Sequence, residues 1–91
     1  VRLEPYRADI YYNRAIVRVK KRLFPQAIDD YDQAIRLIPK DARAIAERGA
    51  AWQFLGAPEK AIADYRKALE LDPSNRRALN GLKTLGAAPA P

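Results

Sequence analysis

Pro5, Pro39 and Pro73 stand at equal intervals of 34 residues. A chain with a period of that size is built from copies of one unit. A single copy cannot bury its own apolar face, so neighbouring copies stack and share a core. The spacing therefore predicts an array of paired helices rather than a self-contained enzyme fold.

The same offset carries more than prolines. Ala27, Ile28, Asp30, Tyr31, Ala34, Leu37 and Pro39 return as Ala61, Ile62, Asp64, Tyr65, Ala68, Leu71 and Pro73. Each recurrence has a packing reason: small residues where two helices approach closely, a tyrosine one turn away, and a proline where the second helix must stop. The series Tyr11, Ala15, Ala27, Tyr31, Ala34, Pro39 and its successor Ile45, Gly49, Ala61, Tyr65, Ala68, Pro73 resembles the tetratricopeptide repeat. That resemblance spans roughly residues 1 to 86. It implies an all-α, right-handed solenoid of stacked helix-turn-helix units closed by a C-terminal capping helix.

Apolar spacing predicts five helices, at about Arg7 to Lys21, Pro25 to Ile38, Asp41 to Leu55, Pro58 to Leu71 and Asn75 to Leu85. Pro25 and Pro58 suit first-turn positions, Asp41 and either Ser74 or Asn75 can cap exposed amides, and Gly56 and Gly86 suit left-handed stops. Short connections make neighbouring helices antiparallel. The expected organisation is residues 1–7 as the tail of a truncated earlier repeat, 8–41 and 42–75 as two repeats, 76–86 as the capping helix, and 87–91 as an extended Ala/Pro tail. The first residue, Val1, is in keeping with a piece of a longer protein. In the last helix, Leu79, Leu82 and Leu85 are expected to cover the preceding helix while Arg76, Arg77, Asn80 and Lys83 face water. The other end has no such lid, so Leu3, Tyr6, Ile10 and Tyr11 offer a route to self-association.

Composition narrows the chemistry. The chain has no histidine, cysteine or methionine, which removes the usual general base, the thiol nucleophile and nearly all zinc-site spacings. Besides tyrosines, the only hydroxyls are Ser74 and Thr84, and no imidazole exists to activate either. No cofactor and no catalytic residue is therefore expected. No apolar run approaches the roughly 18 residues of a membrane span. The lack of cysteine is compatible with any compartment.

What remains is binding. In the family this chain resembles, the first helix of each pair lines a concave groove. The resemblance implies contacts from Tyr12, Asn13, Ile16, Val19 and Lys20, then from Arg43, Ala46, Glu47, Ala50, Gln53 and Phe54, and finally from Arg77, Asn80, Gly81 and Thr84. Tyr12, Asn13, Ile16, Lys20, Arg43, Glu47, Ala50, Gln53, Phe54 and Arg77 are the leading candidates for holding a peptide or protein segment with some acidic character. Some members of the family grip a terminal carboxylate with lysine, arginine and two asparagines. Asn13 and Arg43 fall on two of those positions, but Glu47 stands where a second cation belongs, so a complete clamp is not expected.

Arg18, Lys20, Lys21 and Arg22 place four cations in five residues within a chain of net charge +6. Two readings stay open. The run ends one helix just ahead of Asp29, Asp30 and Asp32, so both sets of charges can serve the helix poles. Alternatively it attracts acidic protein or, less in keeping with the other residues, nucleic acid or an anionic surface. Arg18 also replaces the interhelical aromatic that its 34-residue counterpart, Trp52, supplies as a core residue.

Overall fold

The computed structural model describes residues 4–87, with side chains from Arg7 onward. Five helices follow one another: α1 (Glu4–Lys20), α2 (Phe24–Leu37), α3 (Ala42–Phe54), α4 (Pro58–Leu71) and α5 (Arg76–Leu85). Each helix packs on the next, and α5 also reaches back to α3. The result is a slab of 42 × 27 × 17 Å made from two helical hairpins and a closing helix. No helix among the described residues is long and apolar enough to cross a membrane. Of the expected remnant of an earlier repeat at residues 1–7, residues 1–3 lie outside the described residues, as do the side chain of Tyr6 and the tail from residue 88, whereas residues 4–7 belong to α1.

Local chemistry sets the boundaries. Asp41 Oδ1 accepts the Ala44 amide at 3.3 Å and Asn75 Oδ1 accepts that of Ala78 at 2.9 Å, so both residues cap rather than begin their helices. Ser74 is not the cap; its hydroxyl donates to Asp72 at 2.8 Å. Pro25 and Pro58 lie in the first turns of α2 and α4, where a missing amide hydrogen leaves no bond unmade. The helix α1 begins at Glu4, ahead of the expected Arg7, and so takes Pro5 into its own first turn.

Three helices end in the same way. Leu23 and Arg22 donate to the Arg18 and Val19 carbonyls at 2.8 and 2.9 Å, and Ala57 and Gly56 repeat the pattern on Trp52 and Gln53 at 2.9 and 3.1 Å. Ala87 and Gly86 close α5 likewise on Leu82 and Lys83. This reverse turn needs a left-handed residue. Gly56 (φ 80°) and Gly86 (φ 70°) supply it freely, whereas Arg22 adopts φ 62° with a full side chain, a conformation that costs an L-residue about 1–2 kcal/mol.

Alanines let the helices approach, and tyrosines fill what is left. Tyr12, Ala15, Ala27, Tyr31, Ala34 and Ala44 form one buried cluster; Ile45, Ala46, Ala61, Tyr65, Ala68, Leu69, Ala78 and Leu82 form the next. Ile35 packs against both and joins the repeats. The Tyr65 ring lies so close to α5 that a Cβ at Gly81 would overlap it. Its hydroxyl donates to Gln53 Oε1 at 2.6 Å. Trp52 packs half-buried at the margin of the second cluster, with the Lys60 ammonium 4.4 Å from its ring centroid.

Two expectations need correction. Leu79 does not cover α4: it is 40% exposed, because the buried stripe of α5 runs through Ala78, Gly81 and Leu82, one residue round the helix. Nor do Asp29, Asp30 and Asp32 serve the α2 N-terminus. That helix starts at Phe24, so no acidic residue lies in its first turn. Asp30 is instead buried, with a side chain 3% exposed, and accepts a two-pronged fork from Arg14 at 2.8 and 3.0 Å plus Arg18 Nη1 at 3.1 Å. One repeat later Arg48 grips Asp64 in the same way at 2.9 Å on both prongs, and its remaining nitrogen reaches back to Asp32 at 2.8 Å. Hydrogen bonding to Asp64 holds the Arg48 guanidinium protonated more firmly than usual.

Removing one partner from a buried pair strands the other charge. Replacing Arg48 with Met is expected to lower unfolding free energy by about 2–3 kcal/mol, below the usual maximum because part of Arg48 still meets water. Arg14→Met should cost less, since Arg18 continues to satisfy Asp30; urea titrations of both variants check the order. Alkaline pH probes the tyrosines. Burial raises the phenol pKa values of Tyr12 and Tyr31 and pushes that of Tyr65 up to about 12 from the ordinary 10.0. Above pH 10 the unfolded chain loses phenol protons that the folded chain retains. Stability should therefore be full below pH 10 and fall as pH rises from about 10 to 12, measurable by ultraviolet absorbance of phenolate alongside circular dichroism.

Candidate functional site

α1 and α3 are the first helices of their pairs, and with α5 they carry the residues that the family resemblance assigns to a concave side. The cavity of about 400 Å³ on this side lies between α3 and α5. Ala50, Gln53 and Phe54 line it from α3, while Arg77, Asn80, Gly81 and Thr84 line it from α5. The Tyr65 ring completes the lining. All but Tyr65 are positions that the family resemblance implies for the groove; Tyr65 reaches the cavity because Gly81 has no side chain to screen it.

The remaining candidates sit apart from this cavity. Tyr12 is buried rather than freely exposed, its ring set edge-on to Tyr31 at 6.0 Å between centroids. Its outer face is covered by the Arg43 guanidinium, 4.0 Å from the ring centroid. Arg43 itself remains exposed, and among the described residues only its Nη2 approaches carboxylates, Asp41 at 3.4 Å and Asp9 at 3.9 Å. The other donors of its fork stay available. Asn13 and Lys20 are exposed on α1, and Ile16 packs half-buried against the first cluster together with Val19. Ala46 is fully core and cannot contact a ligand, because α3 turns that position toward α4.

Glu47 is committed internally. Its Oε2 accepts Arg77 Nε at 2.9 Å, a bridge from α3 to α5. The carboxylate raises the pKa values of Tyr12, Tyr31 and Tyr65 while Arg77 lowers them, burial being the largest cause in each. The ion pair thus lies among three phenols at the middle of the array. Its opposed charges offset one another there.

The basic run divides. Arg18 is taken by Asp30, whereas Lys20, Lys21 and Arg22 are exposed and make no ion pair among the described residues. Only part of the run is explained by structure. The pairing of Arg14 with Asp30 and Arg48 with Asp64 is a feature the apolar pattern misses. Its signal is the recurrence, at the same 34-residue offset, of an arginine just before a small residue: Arg14 before Ala15, Arg48 before Gly49. Among the described residues no cluster of three or more His, Cys, Asp or Glu side chains is placed to hold a metal ion.

Comparison with known proteins agrees with this architecture. The tetratricopeptide repeat model matches residues 8–41 and 42–75. The chain is 38% identical over 71 residues to the Hsp70-Hsp90 organizing protein of Triticum aestivum, an alignment covering 78% of the chain and 12% of that protein. It is also 38% identical over 85 residues to RNA polymerase II-associated protein 3 of Mus musculus, covering 93% of the chain and 13% of that protein. The chain therefore corresponds to a small part of these relatives. Among solved structures, the first TPR of Spaghetti (RPAP3) bound to the HSP90 peptide SRMEEVD superposes with a TM-score of 0.84 at 34% identity, covering 90% of this chain and 65% of that one. The second TPR domain of human RPAP3, in complex with the HSP70 peptide SGPTIEEVD, gives 0.83 at 33% identity, covering 89% and 68%. With two stacked hairpins, a closing helix and both family matches in register, the chain belongs to the tetratricopeptide repeat family.

Proposed function

We propose that the concave face holds the acidic C-terminal segment of a partner protein, of the kind that ends Glu-Glu-Val-Asp in the two peptide-bound relatives. The observation that carries this reading is Arg43. Stacking on Tyr12 fixes the guanidinium at the mouth of the groove, exposed and with donors to spare, where an acidic group can pair with it. Asn13, exposed on α1, supplies an amide donor for the same carboxylate. The cavity between α3 and α5 takes an apolar side chain of the ligand against Ala50 and Phe54, with Gln53 and Arg77 as polar contacts.

Glu47 distinguishes this groove from a full carboxylate clamp. Its pairing with Arg77 cancels the repulsion a lone carboxylate would exert, yet it also occupies Arg77. The ligand is therefore gripped by fewer cations than a complete clamp offers, and shape and apolar contact contribute more. Rigid helices locked by Arg48, Asp32 and Asp64 leave little to be ordered on binding.

Arg43→Glu should weaken a fluorescently labelled SRMEEVD peptide by about tenfold or more, equivalent to about 1.4 kcal/mol, with helicity by circular dichroism unchanged. Amidating the peptide's C-terminus should weaken binding to the native chain but cost much less against the variant. Equal affinity of the native chain and Arg43→Glu for the free-acid peptide removes Arg43 from the site.

A further inference from the structure

The end of the slab where both helical hairpins turn carries a surface that meets the groove at Phe54 and extends beyond it. α1 and α3 finish there while α2 and α4 begin. Phe24 and Phe54 stack across it with ring centroids 5.1 Å apart and planes inclined by 13°. Phe54 is 64% exposed, and its chain neighbour Leu55 and Leu23, beside Phe24, are exposed as well. Lys20, Lys21 and Arg22 stand beside this apolar strip without ion-pair partners among the described residues. Arg22 is the telling member. The two equivalent helix ends use Gly56 and Gly86 in the left-handed turn, so an arginine there keeps a cation at the tip in spite of backbone strain that glycine would relieve.

We propose that this hairpin end is a second docking surface, for an acidic segment bearing an aromatic or aliphatic side chain that lies N-terminal to the part of the ligand held at Arg43. The inference rests on the groove reading for its geometry and on charge complementarity for its occupant. Phe54 belongs to both surfaces: it lines the α3–α5 cavity and stacks on Phe24, so a chain leaving the groove passes directly onto the strip. Arg43 and Phe54 are eleven residues apart along α3, about 16 Å at the helical rise. An extended peptide spans that in about five residues. Acidic side chains further upstream then meet Lys20, Lys21 and Arg22. A peptide suits the surface better than a lipid bilayer. Phe24 is half-buried and stacked, so it cannot leave for the acyl region, and three cations alone make one signal where stable membrane attachment takes two.

The test uses two synthetic peptides: the terminal five residues Met-Glu-Glu-Val-Asp, and the same peptide preceded by five residues of Asp and Glu around one Phe. Affinities are measured for the native chain and for a Lys21→Gln, Arg22→Gly double variant, neither residue being part of the groove. The extension should tighten binding to the native chain by at least about fivefold. The variant should lose that gain, bind the short peptide as before, and show a thermal midpoint no lower than the native chain, which separates lost contact from lost folding. No gain from the extension, or a gain the variant retains, overturns the proposal. So does a chain that binds phosphatidylserine vesicles through Lys21 and Arg22 while ignoring the extension. If the short peptide fails to bind but the long one binds and depends on Lys21 and Arg22, the hairpin surface stands and the groove reading falls.

Discussion

A carboxylate as deeply buried as that of Asp30 or Asp64 must have its oxygens satisfied in place, because leaving one unpaired costs more than most single contacts return. In both repeats a guanidinium from the preceding helix meets that demand: Arg14 crosses from α1 to α2, and Arg48 crosses from α3 to α4. The fork admits one relative position of the paired helices, since a slip of either by one residue would remove both parallel bonds. Arg48 extends the constraint by bonding Asp32, so the second hairpin is set against the first as well as within itself. Apolar packing on alanines alone specifies register weakly; these arginines specify it by direction.

The face shared by α1, α3 and α5 follows from that register. Gly49 and Gly81 leave room for the Tyr65 ring, and Ala15 lies in the cluster that Tyr31 fills one repeat earlier. With the hairpins held in this order, α1, α3 and α5 share one face. Arg43 can then lie on Tyr12 of the neighbouring repeat, and Glu47 can reach Arg77 of the closing helix. Arg43 and Arg77 are each positioned by a group from an adjacent hairpin or helix, which makes this part of the face a product of stacking rather than of any one repeat.

Much of this was legible in the 34-residue recurrence. Helix number, the Pro25 and Pro58 starts, the Asp41 and Asn75 caps and the Gly86 stop are local chemistry, and the short-range pattern suffices for them. The cavity-lining face of α3 and α5 followed from the family resemblance, with helical spacing assigning residues to that face. What the pattern obscured were interactions between helices. Asp30 reads as a helix-pole charge until α2 is known to start at Phe24, and Leu79 reads as core until the rotation of α5 is fixed by Gly81 against Tyr65. Tyr12 looks like a groove contact by position, yet whether its ring is covered depends on Arg43, which belongs to the other repeat. Arg22 carries no sequence warning of its left-handed backbone except that its counterpart is Gly56.

Glu47 shows how stacking and recognition constrain each other. Its bond to Arg77 fastens α5 over the second hairpin, where Tyr65 already fits against Gly81, so the pair helps close the array. The same bond places a negative group between two open cationic regions, Arg43 on the α1–α3–α5 face and Lys20 to Arg22 at the hairpin end beyond it. On the proposed reading, an acidic ligand would meet attraction at two separated places and a neutralised pair between them. A groove charged in that way favours a chain that spans it with its acids at the ends and an apolar side chain over the middle, and disfavours a compact anion that needs every cation at one point.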